Sequence, residues 1–154
     1  MNEFVAKKLG EVLAFVRIGQ EMFERGGQAL QEAWGEEKSV GFETILKTQA
    51  VELEEMANEA TMNKADATTT KLRGMMEAYI GDEWDNPTEL LEWSGFYLGS
   101  AIVHWALVEG AASELASAQL TNLAKAAIEH NQATLEQTKN QIRAQAKKKV
   151  GGQE

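Results

Sequence analysis

Few side chains in this chain combine the right type with a placement that could do chemistry, and His104 is the foremost. The sequence holds two histidines and no cysteine, which removes thiolate nucleophiles, disulfides and cysteine-based zinc sites together. His104 stands inside residues 93–108, a stretch with no carboxylate, lysine or arginine in an otherwise highly charged chain. A neutral imidazole has one donor and one acceptor and needs a partner when it is buried. Two amides on core-facing stripes could provide one: Gln49, between Ile45 and Leu53, and Asn131, between Ala127 and Leu135.

If the segments carrying His104 and Asn131 form a hairpin that turns near Ser117, the two residues lie level with one another. Two uses of such a polar layer are open. It could be a hydrogen-bonded layer that fixes helix register, or the polar lining of a small-molecule pocket with Trp93, Tyr97 and Trp105 as apolar walls. The candidate ligand-binding set is therefore Gln49, Trp93, Tyr97, His104, Trp105 and Asn131. His130 flanks the inner face of its helix and reads as a surface or boundary residue rather than a ligand.

Signals for catalysis are weaker. Serine, histidine and aspartate occur in no arrangement that suggests an activated nucleophile, and the Gly26-Gly27 pair falls inside a helical pattern rather than in a phosphate loop. Asp82, Glu83, Asp85, Glu89 and Glu92 crowd the start of a helix, where negative charge suits the dipole, and their spacing does not match an EF-hand. The expectation is no catalytic residue, no metal ligand and no cofactor, with an enzyme the lesser reading.

These residues must be positioned by helices. One proline and 44% hydrophobic but only 7% aromatic content point to aliphatic helix packing. A first pattern covers about residues 2–34, with Val5, Leu9, Val12, Val16, Gly19, Phe23, Leu30 and Trp34 on one stripe. A turn over residues 35–41 leads to a second pattern, about residues 40–60. The polar stretch 61–70 reads as connection, followed by a short amphipathic helix through Leu72, Met75, Met76, Tyr79 and Ile80 that ends at Gly81.

The next helix has a well-marked start, because Asn86 can cap it and Pro87 suits the first helical position. Leu90, Ser94, Tyr97, Ala101, His104 and Val108 then recur on one stripe. Gly95, Gly99, Ala106 and Gly110 oppose them. Glycine costs a helix about 0.8–1 kcal/mol relative to alanine, so that ridge predicts close backbone approach and a central helix buried on two sides. After a turn near residues 113–118 a last helix covers about 119–147, and residues 148–154 read as a disordered tail of a single domain, 1–154. The fold expected is an all-α, antiparallel four-helix bundle with one short extra helix between its second and third members.

Two long helices, a connection of about 26 residues and two more long helices form a layout that resembles the ferritin-like four-helix bundles. The metal chemistry of that family rests on Glu-x-x-His motifs. Here Ala101 and Ala127 stand three residues before His104 and His130. The resemblance therefore implies the bundle, with a core site near His104 as the alternative function, but not the dinuclear metal centre.

Charge and hydropathy narrow the partners. The net charge is −9, and no basic residue occurs between Arg73 and Lys125, so a nucleic-acid partner is disfavoured. Residues 93–108 fall short of the roughly 20 a membrane-spanning helix needs. Residues 1–10 carry Glu3, Lys7 and Lys8 and no apolar leader core, which makes the cytoplasm the default location. The wide apolar arc of the first helix, with Phe4, Phe15, Ile18 and Met22, and the ridge of Gly95, Gly99 and Gly110 offer more apolar surface than one bundle consumes. A binding protein acting as a homodimer is the expected function.

Overall fold

Four of the five helices described begin where a side chain takes up a free N–H group. In the computed structural model, which describes residues 1–152, Asn2 caps α1 (Glu3–Trp34), Asn58 caps α3 (Glu59–Ile80), Asn86 caps α4 (Pro87–Glu114) and Ser117 caps α5 (Ala118–Val150). Between α1 and α2 (Glu36–Met56) stands Gly35 alone, at φ 91°. That left-handed φ is one L side chains seldom adopt, so a single residue makes the turn expected over residues 35–41. Helix α5 continues to Val150, through residues 148–150 that were expected in a disordered tail, and residues 153 and 154 of that expectation lie outside the described residues. No helix among the described residues is long and apolar enough to cross a membrane.

Among the described residues the protein is all-α, with five long helices rather than four and a short one. Residues 61–70, read above as a polar connection, are the first half of α3. Its inward positions are Thr61, Ala65, Thr69, Met76 and Ile80, all buried. The spacing is helical, but the residues that face inward are small or hydroxylated, so hydropathy alone conceals them. Asn58 starts this helix by accepting from both the Thr61 backbone N–H and its hydroxyl, each at 3.0 Å.

Contacts between the helices set their directions. Along α1, Glu11, Arg17, Glu21 and Arg25 pair in turn with Lys64, Asp66, Arg73 and Glu77 of α3, so the two run parallel. Phe23 of α1 meets Phe42 of α2, while Gly19 faces Leu46 and Gly26 faces Leu90. Helices α2 and α4 therefore run opposite to α1. Trp34 donates from Nε1 to Thr138 Oγ1 at 3.1 Å, which sets α5 beside the far end of α1.

The central helix is thus α1 and not α4, a correction to the sequence-based expectation. Residues 12–16 are buried without interruption, and at 100° per residue five successive positions go around the helix, as expected of a helix packed on every side. Phe15, Ile18 and Met22, the arc expected to remain for a partner, are consumed by this monomer core; Phe4 alone of that set is exposed.

The glycine expectation is corrected with it. A Cβ at Gly95, Gly99 or Gly110 of α4 would meet nothing within 4 Å, whereas one at Gly10 of α1 would lie 2.5 Å from the Thr61 carbonyl oxygen and 3.0 Å from the Ala65 nitrogen. Close backbone approach is made by the glycines of α1. Gly19 gives room to the Tyr97 hydroxyl, and Gly26, where α1 kinks, to Leu90.

Glu21, which helical spacing turns toward water, reaches α3 instead and holds Arg73 in a two-point pair, Nε to Oε1 at 2.8 Å and Nη2 to Oε2 at 2.6 Å. The same pair raises the Arg73 pKa, first through the hydrogen bond and then through the charge of Glu21. Exposed ion pairs are worth about 0–1 kcal/mol each, so this row does more for the register of α3 than for stability.

Candidate functional site

Helices α3 and α4 both lie against α1 but diverge from each other, leaving an apolar groove of about 390 Å³. Phe15 and Ile18 of α1 form its floor. Leu72, Met75 and Tyr79 of α3 form one wall, and Trp93, Phe96, Tyr97 and Ser100 of α4 the other. The groove closes at one end through Tyr79, whose ring centroid is 5.2 Å from that of Phe96 and 6.0 Å from that of Trp93.

Two tyrosines fix this geometry by different means. The Tyr97 hydroxyl donates to the Phe15 carbonyl at 2.6 Å, and burial pushes its pKa up while the Gly19 backbone opposes this. Its hydroxyl thus sits against the α1 backbone at Phe15 and Gly19, where a Cβ would collide with it. Tyr79 lies at the rim, and its pKa is raised first by burial and then by the Glu92 and Glu89 carboxylates.

The expected polar layer is not formed. His104 lies at the edge of α4 facing α3, half-buried, with its ring 4.8 Å from that of Phe15 and its Nδ1 2.8 Å from the Ser100 carbonyl oxygen of its own helix. It lines a shallower cavity of about 370 Å³ that continues the groove past Ser100 toward Lys64 and Lys71. Asn131 is buried on α5 and is not its partner. The reason is angular. The buried side of α4 is centred on Ser94, Leu98, Ala101, Trp105 and Val108, and His104 is turned away from that centre toward α3.

Of the six candidate residues, the groove brings together Trp93 and Tyr97, with His104 in its extension. Gln49, Trp105 and Asn131 are buried but line neither cavity. Polar groups that do cross the core were missed. Trp34 gives its indole N–H to Thr138, and Gln137 Nε2 donates to the Trp34 carbonyl at 3.3 Å. Threonines four residues apart at 134 and 138 were the available signal.

His130 is a boundary residue, as its position suggests. Its ring packs 5.0 Å from Phe42 in a shallow cavity between α2 and α5 that Lys38 also lines. Its Nδ1 is buried without a hydrogen-bond partner. Burial holds the His130 pKa below its ordinary 6.5, with the Asn131 amide working the other way. A histidine whose folded pKa is depressed binds its proton more readily when unfolded. Stability should therefore decline as pH falls below about 6.5 and level off only below the folded value. Thermal melting between pH 7.5 and 5 checks this, and His130→Gln should flatten the curve in that window. An unchanged slope in the variant would remove His130 as its source.

Among the described residues no group of three or more histidine, aspartate or glutamate side chains is placed to hold a metal ion. Comparison of the chain with protein-family models, with curated proteins and with solved structures gave no match.

Proposed function

We propose that this protein is a non-catalytic interaction protein that self-associates through the outer face of α4. The observation that carries the reading is a stripe at alternating steps of four and three: Glu92, Phe96, Gly99, Val103, Ala106 and Gly110. That spacing is the seam of a helix pair. Phe96 is 62% and Val103 64% exposed, and a Cβ at any of the three glycines of α4 would meet nothing within 4 Å among the described residues. Leu107 and Met75 extend the apolar surface on either side.

Soluble proteins seldom leave such a patch open to water. Small residues on the stripe would let the same helix of a second copy approach closely, and the stretch from Phe96 to Val108 carries no charge to desolvate. A two-fold pairing is the simplest closed arrangement. A ferritin-like core site near His104, the other reading of the sequence, lacks comparable support, because the polar residues it needs are dispersed.

Sedimentation at several hundred micromolar tests the proposal. The chain should travel as twice its 17.0 kDa. Val103→Glu should restore the monomer while leaving its intrinsic stability within about 0.5 kcal/mol, as for other surface changes. A wild-type chain that stays monomeric at that concentration overturns the reading.

A further inference from the structure

The outer stripe of α4 is uneven along its length. Phe96 is followed by Gly99 and Val103 by Ala106, with Glu92 at one end and Gly110 at the other. Phe96 and Val103 stand out from the helix surface, and a Cβ at Gly99 or Gly110 would meet nothing within 4 Å among the described residues. Large and small residues therefore alternate on a face that the rest of the chain leaves open.

We propose that a second copy docks on this face antiparallel, about a two-fold axis crossing α4 level with Ala101, so that each large side chain of the stripe meets a small one of the other copy. This rests on the self-association proposed above and adds its direction and register. A two-fold axis along the helices would leave every residue level with its own counterpart. Phe96 would then oppose Phe96 and Val103 oppose Val103, while Gly99 between them opposed Gly99, and two large layers would hold the helices apart over an unfilled one. An axis across the helices reverses the order. Level with Ala101, it sets Phe96 against Ala106, Val103 against Gly99 and Glu92 against Gly110. Each layer then holds one large and one small residue, and a single interaxial distance suits them all.

Charge selects the same direction. Asp82, Glu83, Asp85, Glu89 and Glu92 stand at the start of α4, and no basic residue occurs between Arg73 and Lys125 to offset them. A parallel pair would bring the two acidic starts together, with Glu92 against Glu92 in the seam. The antiparallel pair parts them by about the length of the helix, 28 residues at 1.5 Å each, or roughly 42 Å. Glu109 borders the Glu92 layer but is turned about 100° around the helix from Gly110, away from α3.

The flanks of the stripe agree. Phe96, Ser100 and His104 lie on the side of α4 that faces α3, and Leu107, one heptad beyond Ser100, continues that side. An axis across the helices sets α3 beside α3 of the other copy, which brings the exposed Leu107 toward the exposed Tyr79 and Met75 of that copy. An axis along them would set Leu107 beside α5 of the other copy, near the level of Lys125.

The chain has no cysteine, so single introduced thiols report the direction. Glu92→Cys and Gly110→Cys fall at exposed positions and keep both large residues of the stripe. Each variant alone, and the two mixed in equal amounts, are oxidised in a glutathione buffer at several hundred micromolar and run on a non-reducing gel. In the antiparallel pair the two thiols of a mixed dimer are level with one another. Those of either single-variant dimer lie 18 residues apart along the seam, about 27 Å, far beyond the roughly 4.4–6.8 Å between Cα atoms that a disulfide spans. The mixture should therefore form covalent dimer about tenfold faster, or more, than either variant alone. Reduced, both variants should sediment as the wild type does. Cross-linking of each variant alone with no gain on mixing shows a parallel pair, which overturns this proposal and leaves self-association through α4 standing. A sedimenting dimer that cross-links in neither way uses another face and overturns both, as does a wild-type chain that stays monomeric at this concentration.

Discussion

Gly10→Ala is expected to destabilise the protein by about 1–3 kcal/mol, the usual cost of overpacking, while the identical change at Gly74 is expected to stabilise it by up to about 1 kcal/mol through helix propensity. Both glycines are interior helical positions, in α1 and α3. At Gly10 the added carbon would lie 2.5 Å from the Thr61 carbonyl oxygen and 3.0 Å from the Ala65 nitrogen, and backbone atoms of a packed helix cannot step aside as a flexible side chain can. At Gly74 it would meet nothing within 4 Å. Near this size one kcal/mol moves the melting temperature by roughly 2–4 °C, so the two variants should separate clearly to either side of the parent. If both melted higher, α3 would not be seated on α1 at Gly10, and the parallel packing of these helices would be wrong.

Trp105→Ala should be the more damaging change, costing about 3–5 kcal/mol, as large-to-small aromatic substitutions in cores do. Trp105 is the largest of the side chains that are almost completely buried. It belongs to the core cluster, together with residues of α1, α4 and α5. A chain of ordinary stability has only about 5–15 kcal/mol to lose, so the melting temperature should fall on the order of 10 °C. Chemical denaturation should show a lower midpoint with an unchanged slope if the core loosens without losing its two-state character. A loss below about 1 kcal/mol would instead suit a tryptophan at the wall of a roomy pocket, the role its sequence position first suggested, and would sink the packing described for α4.

How much of this was legible varies by element. The start of α4 follows from Asn86 and Pro87, because capping is a local affair settled within a few residues, and that of α5 was placed within one residue by the turn expected over residues 113–118. The extent of α1 was legible for the same kind of reason, since its apolar spacing runs unbroken from Val5 to Trp34. Helix α3 was legible only in its second half. Thr61, Ala65 and Thr69 are polar or small by composition, and their burial exists only because α1 offers Gly10 to pack against.

The candidate site divides along the same line. Trp93 and Tyr97 could be singled out as aromatic residues in an uncharged segment, and they line the groove. His104 was singled out by the same segment. Its exposure, however, depends on where α3 and α5 sit around α4, a rotation of less than one residue step that periodicity does not resolve. Phe15, Leu72, Met75 and Tyr79 come from helices distant in sequence, and no spacing within either helix marks them as facing one another.

Local physics, then, was written in the chain by itself: the all-α class, the cap of α4, the apolar stripes and the absence of cysteine chemistry follow from residue types within a turn or two of each other. Which helix stands at the centre was decided by tertiary structure. Both α1 and α4 carry glycines and wide apolar faces, and single-helix periodicity weights them equally. Only the arrangement of five helices shows that Gly10, Gly19 and Gly26 are contact points while Gly95, Gly99 and Gly110 face away from the core. Packing couples residues far apart in sequence, and a glycine reveals which kind it is only when its neighbour's backbone is in place.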